Sequence, residues 1–151
     1  MNAQKQQKGF TIIEVVLVLA IAGLIFLMIF IALPALQRGQ RDTQRRDDAS
    51  RFITQLNSYS TNNNGRIPTF AQLTGSGGFS DRYLKINDGE FKDPQTGDNY
   101  AFTEDEPDTK TFQYAAGFKC DGEELASASG TRVAAVRVEL EGSGVFCQDN
   151  Q

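Results

Sequence analysis

The chain has 151 residues and a formal charge of −4. Its pI near 4.8 excludes the basic profile of a dedicated nucleic-acid binder. Histidine is absent, which removes His-based triads, His general bases and His metal centres together. The length leaves room for one globular domain.

In chain order, a short leader carrying Lys5 and Lys8 runs into Gly9-Phe10-Thr11-Ile12-Ile13-Glu14 and then an apolar stretch. No charged residue occurs from Val15 to Leu33. About 19 residues at about 1.5 Å each span roughly 28 Å, the hydrocarbon thickness of a bilayer. Glu14 is the anomaly. A carboxylate at a bilayer centre costs about 2.5–3.5 kcal/mol, and somewhat less near the interface, so its retention points to a function with a partner. A secretory signal peptide would need an apolar core of only about 7–15 residues followed by a small-x-small site; Ala32-Leu33-Pro34-Ala35 could serve as one. A plain signal anchor would explain the length but neither Glu14 nor Gly9-Phe10.

Lys8-Gly9 followed by Phe10-Thr11-Ile12-Ile13-Glu14-Val15-Val16 resembles the processing site of type IV prepilins and of the related pseudopilins of type II secretion. The resemblance covers about the first 30 residues. It implies cleavage between Gly9 and Phe10 by a membrane prepilin peptidase, N-methylation of the new terminal Phe10, and Glu14 as the assembly carboxylate. It further implies a removable leader over 1–9, a transmembrane and assembly helix over 10–36, an extramembrane continuation over 37–61, and a globular head over 62–151. The precursor would sit as a single-pass protein in the inner (cytoplasmic) membrane with its head outside, and then join an extracellular filament. Charge counting opposes this orientation: Arg38, Arg41, Arg45, Arg46 and Arg51 follow the apolar segment, and positive residues favour the cytoplasmic side. The processing chemistry of the family fixes the leader inside, and long domains translocate largely regardless of charge.

Beyond the membrane, Ala49, Phe52, Ile53, Leu56 and Tyr59 recur on one helical face. Asn62-Asn63-Asn64-Gly65 supplies a stop that accepts a left-handed cap. One long helix is therefore expected from about Thr11 to about Thr61. Pro34 withholds a donor from the carbonyl of Phe30, giving a kink or a local loosening there, and Gly39 adds to the weakness. The resemblance implies melting at this proline on filament entry. The stretch Gln37–Arg51 is polar almost all round; with Asp42, Asp47 and Asp48 interleaved among its arginines, it reads as a solvated, charge-compensated face rather than a DNA-binding one.

The head signals are shorter. Thr69 is a plausible N-cap for a helical turn over Phe70–Leu73, Gly75-Ser76-Gly77-Gly78 is a loop, and a further turn begins near Ser80. Phe112–Lys119, Arg132–Leu140 and Val145–Cys147 read as strands, with Glu141-Gly142-Ser143-Gly144 as turn chemistry. The expected class is α+β and pilin-like: a long N-terminal helix against a small antiparallel sheet of about 3–4 strands. With the head outside the cytoplasm, the even pair Cys120 and Cys147 is expected to form a disulfide from the end of the first strand to the last. The loop around Asp93, Asp98 and Asn99 offers oxygen ligands near a glycine and resembles a loop of major pseudopilins, some of which bind calcium. Its order does not match an EF-hand, so the reading is a solvated turn whose aspartates satisfy local amides, with no metal and no cofactor.

Taken together, these residues imply a structural subunit, not an enzyme: a pilin of a type IV pilus-like helical filament serving adhesion, motility or DNA uptake. Its partners would be copies of itself, the peptidase and methyltransferase, an assembly platform and the membrane. The alternatives are a type II secretion pseudopilin and a membrane-anchored extracytoplasmic binding protein. An anchored enzyme would need a catalytic constellation, and neither a histidine nor a nucleophile elbow is present.

Overall fold

The computed structural model describes residues 9–151, so Lys5, Lys8 and the rest of the leader before Gly9 fall outside the described residues. Two compact units divide after Gln37. The first contains the start of α1 (Ile12–Asn62), whose helical conformation continues through Pro34. Its large apolar side chains from Phe10 to Leu36 are exposed. A surface of that kind is stable only in lipid or against other apolar helices.

The second unit, Arg38–Gln151, is the head. Here α1 buries Ala49, Phe52, Ile53 and Leu56, the face expected from their spacing. The helix stops as its sequence dictates: Asn64 and Gly65 adopt φ of 57° and 79°, and the Gly65 amide donates to the Ser60 carbonyl at 2.7 Å. Two short helices follow, α2 (Phe70–Thr74) and α3 (Phe79–Arg82). Thr69 caps α2 in a reciprocal box with Gln72.

Six strands complete the head: β1 (Ala101–Thr103), β2 (Thr111–Ala116), β3 (Phe118–Asp121), β4 (Glu124–Ser127), β5 (Ala134–Glu139) and β6 (Val145–Asp149). They form a four-stranded sheet of order β1-β2-β5-β6 and a separate β3-β4 hairpin. The expected sheet needs two corrections. It is mixed, because β1 pairs with β2 in parallel. Its first expected strand, Phe112–Lys119, is broken at Gly117, whose φ of 82° turns the chain out of the sheet. The chain then forms the hairpin, reversing through the two-residue turn Gly122-Glu123, where Gly122 takes a φ of 66°.

The Cys120–Cys147 disulfide therefore joins the hairpin to the outer strand β6, with Cα atoms 5.8 Å apart, and does not staple one sheet internally. With its ends 27 positions apart in sequence, it stabilises the head by about 3–4 kcal/mol in the chain-entropy account. At the centre of the core Phe52 lies within 5.2 to 6.5 Å, ring centre to ring centre, of Phe79, Phe91, Phe102, Phe112 and Tyr114. Val136 and Val138 of β5 are buried in the same core cluster.

Candidate functional site

Gly9, Phe10 and Thr11 precede α1, and Glu14 lies in its first turn. Phe10 is 90% exposed. The Glu14 Oε2 atom accepts from the Thr11 amide at 2.8 Å and from the Thr11 hydroxyl at 2.7 Å, while the Glu14 amide reaches back to Thr11 Oγ1 at 3.4 Å. Thr11-x-x-Glu14 is thus a capping box, a four-residue signature that the sequence itself spells. The box has a chemical consequence. It holds the carboxylate beside the helix start, one turn from Phe10, at the end where the helix dipole favours negative charge. Both bonds fall on Oε2, and Oε1 accepts none among the described residues.

In the head, the stretch read as a solvated face contains a fully buried cation. Arg45 is completely inaccessible and pairs with Asp93 at 2.7 Å, Glu141 at 2.8 Å and Asp42 at 3.2 Å; its Nε donates to the Thr109 carbonyl at 3.1 Å. Arg41 adds a two-pronged pair to Glu141, at 2.6 and 2.7 Å. Asp42 in turn accepts from the amides of Glu141 and Gly142, each at 2.8 Å. The excess carboxylate charge is thus shared with backbone donors, as burial requires. Contact with Arg41 and then Arg45 holds the Glu141 carboxyl at about 2. Periodicity could not reveal this, because a charged residue on a helix is by default assigned outward.

The weak calcium candidates separate in the same light. Asp93 is buried, not solvated: Oδ1 meets Arg45, and Oδ2 accepts from the amides of Gln95 and Thr96 at 3.2 and 2.9 Å. Asp98 and Asn99 are exposed, and Asn99 bridges to Lys92. Among the described residues, no three His, Cys, Asp or Glu side chains are grouped to hold a metal ion.

Asp48 carries a pH dependence. Burial beside Tyr100, whose hydroxyl donates to Asp48 Oδ2 at 3.2 Å, pushes its carboxyl up to about 6. The native state then holds this proton more tightly than the unfolded chain, so stability falls as pH rises from about 4 to about 6. Glu141 acts oppositely: its contribution is full above its ordinary value and is lost as pH falls toward 2. Between them, these two groups favour pH 4–5. Asp48→Asn keeps an acceptor for Tyr100 and should raise stability at pH 7 by about 1–2 kcal/mol, after allowance for partial exposure. It should also flatten the decline above pH 4 while leaving the acid limb intact. Thermal unfolding against pH checks both.

A family model described as the prokaryotic N-terminal methylation motif matches residues 4–30. No curated protein and no solved structure matches the chain. The N-terminal segment thus carries the prepilin-type cleavage and methylation signal shared by type IV pilins and pseudopilins. The motif precedes and overlaps an apolar helix long enough, by length and composition, to cross a membrane, a pairing that fits a membrane-anchored precursor.

Proposed function

We propose that this chain is a structural subunit of a type IV pilus-like helical filament, processed between Gly9 and Phe10, methylated on Phe10 and polymerised through its N-terminal helix. The observation carrying this reading is one carboxylate, Glu14, at the head of an apolar helix whose matched motif ends in methylation of the adjacent terminus. Cleavage creates a cationic α-amino group on Phe10. In a bundle of such helices, that amine and a neighbour's Glu14 are each costly alone and tolerable as a pair. Repeated head-to-tail, the contact does not close on itself and gives a filament rather than a ring. Pro34 is the point at which α1 can loosen to enter such a bundle, since the Phe30 carbonyl lacks its usual donor.

N-terminal analysis of the membrane-extracted protein tests the reading directly. The expected first residue is a methylated Phe10, and Gly9→Val should leave the precursor uncut. A mature protein beginning at Met1 would overturn the proposal. The same motif also fits a type II secretion pseudopilin. Electron microscopy of cell surfaces separates the two: long surface filaments carrying this subunit support the pilus, and their absence supports a short periplasmic assembly.

A further inference from the structure

Two recesses adjoin at the C-terminal end of α1 in the head. One, of about 490 Å³, runs between Arg82, Tyr83 and the Gly75–Gly78 loop. The other, of about 760 Å³, is bounded by Arg66, Thr131 and Arg132. Tyr59, Asn62, Asn63 and Gln72 line both. Each has the size of a small-molecule site.

Their chemistry departs from that of the chain as a whole. The protein has 19 acidic against 15 basic residues, yet no Asp or Glu lines either recess. The cations there are Arg66, Arg82 and Arg132. None of the three forms an ion pair among the described residues; Arg38 and Arg46 form none either but line neither recess, while Arg41, Arg45, Arg51 and Arg137 are all paired. The neighbouring acid, Asp81, is committed to the Gly77 amide at 2.6 Å and to Asn87 at 2.7 Å, bonds that fix the glycine loop. Arg132 is also positioned by the backbone. Gly65 has φ of 79°, and a Cβ there would lie 2.8 Å from Arg132 Cζ, so the missing side chain makes room for the guanidinium.

We propose that these joined recesses bind a carboxylated oligosaccharide, a short run of uronate-type sugars. Guanidinium forks match carboxylates in two-pronged geometry. Asn62 gives one N–H to Tyr83 Oη, Asn63 gives one to the Tyr59 carbonyl, and Gln72 Oε1 accepts from Thr69. That leaves a second N–H and a carbonyl oxygen on each asparagine, and the Gln72 amino group, for ring hydroxyls. Single-stranded nucleic acid fits less well, because it calls for free aromatic faces. Here Tyr83 is stacked on Phe79 at 5.4 Å, and Tyr59 meets both rings edge-on, at 5.8 and 5.4 Å. The inference does not rest on the filament reading, since the recesses lie wholly within the head of one subunit.

The test uses the full chain in detergent and an oligogalacturonate probe, with neutral dextran and an oligo-dT of similar length as comparators. Oligogalacturonate should bind and dextran should not. The triple substitution Arg66→Gln, Arg82→Gln, Arg132→Gln should weaken binding about tenfold or more. The equally charge-reducing Lys92→Gln, Lys110→Gln, Lys119→Gln should change it less than about twofold. Asn62→Ala, which leaves the charge and the Thr69–Gln72 cap unaltered, should weaken binding about threefold and decides the matter if the arginine variant does not fold. Absence of oligogalacturonate binding, equal losses in the arginine and lysine variants, or tighter arginine-dependent binding of oligo-dT would each overturn the proposal.

Discussion

Arg45→Ala is expected to destabilise the head by about 3–5 kcal/mol, the loss typical when one partner of a buried ion pair is removed. Arg45 has no solvent exposure, and its Nη2 is the cation facing Asp93 Oδ1 at 2.7 Å. Without it, Asp93 remains buried with one oxygen held by loop amides and the other unmatched, while Asp42 and Glu141 lose a shared donor. A domain of this size has a total stability of about 5–15 kcal/mol, so the variant loses a large fraction of it and should melt at a clearly lower temperature. The double change Arg45→Met with Asp93→Asn should recover a substantial part: methionine fills apolar volume, and asparagine keeps an acceptor for the Gln95 and Thr96 amides without a buried charge. All four tyrosines lie in the head, so near-UV circular dichroism of the detergent-solubilised chain follows its melting. A loss under about 1 kcal/mol in the single variant would mean that the pair behaves as a solvated surface contact.

Glu14→Ala is expected to leave cleavage and methylation intact and to abolish filaments. Alanine alone would be ambiguous, because Glu14 also closes the capping box on Thr11, and losing a cap destabilises a helix start by about 0.5–2 kcal/mol. Glu14→Gln resolves this. Glutamine is accepted in the box, so the helix start survives, but the negative charge that would meet a neighbour's terminal amine is gone. Under the pairing role, neither variant polymerises. Filaments from Glu14→Gln but not from Glu14→Ala would assign the residue to capping alone, and normal filaments from both would remove it from assembly. Counting sheared surface filaments by microscopy, with mass analysis of the membrane pool as the processing control, distinguishes these outcomes.

Local patterns settled much of this protein. The apolar run to Leu33, the helical spacing of Ala49, Phe52, Ile53 and Leu56, the Asn64-Gly65 stop and the Thr69 cap each depend on neighbours within a few residues, so the chain states them directly. The processing signal is of the same kind, because a peptidase reads contiguous residues. Tertiary structure decided the rest. Whether Arg45 faces solvent or Asp93 depends on residues 48 and 96 positions away. The parallel pairing of β1 with β2, and the departure of the hairpin at Gly117, are likewise choices of partner that no local pattern encodes. The three recess arginines, Arg66, Arg82 and Arg132, come from separate stretches of the chain, and only folding sets them around the end of one helix. A sequence fixes what each segment can bury, but where charges end up follows from which segments meet.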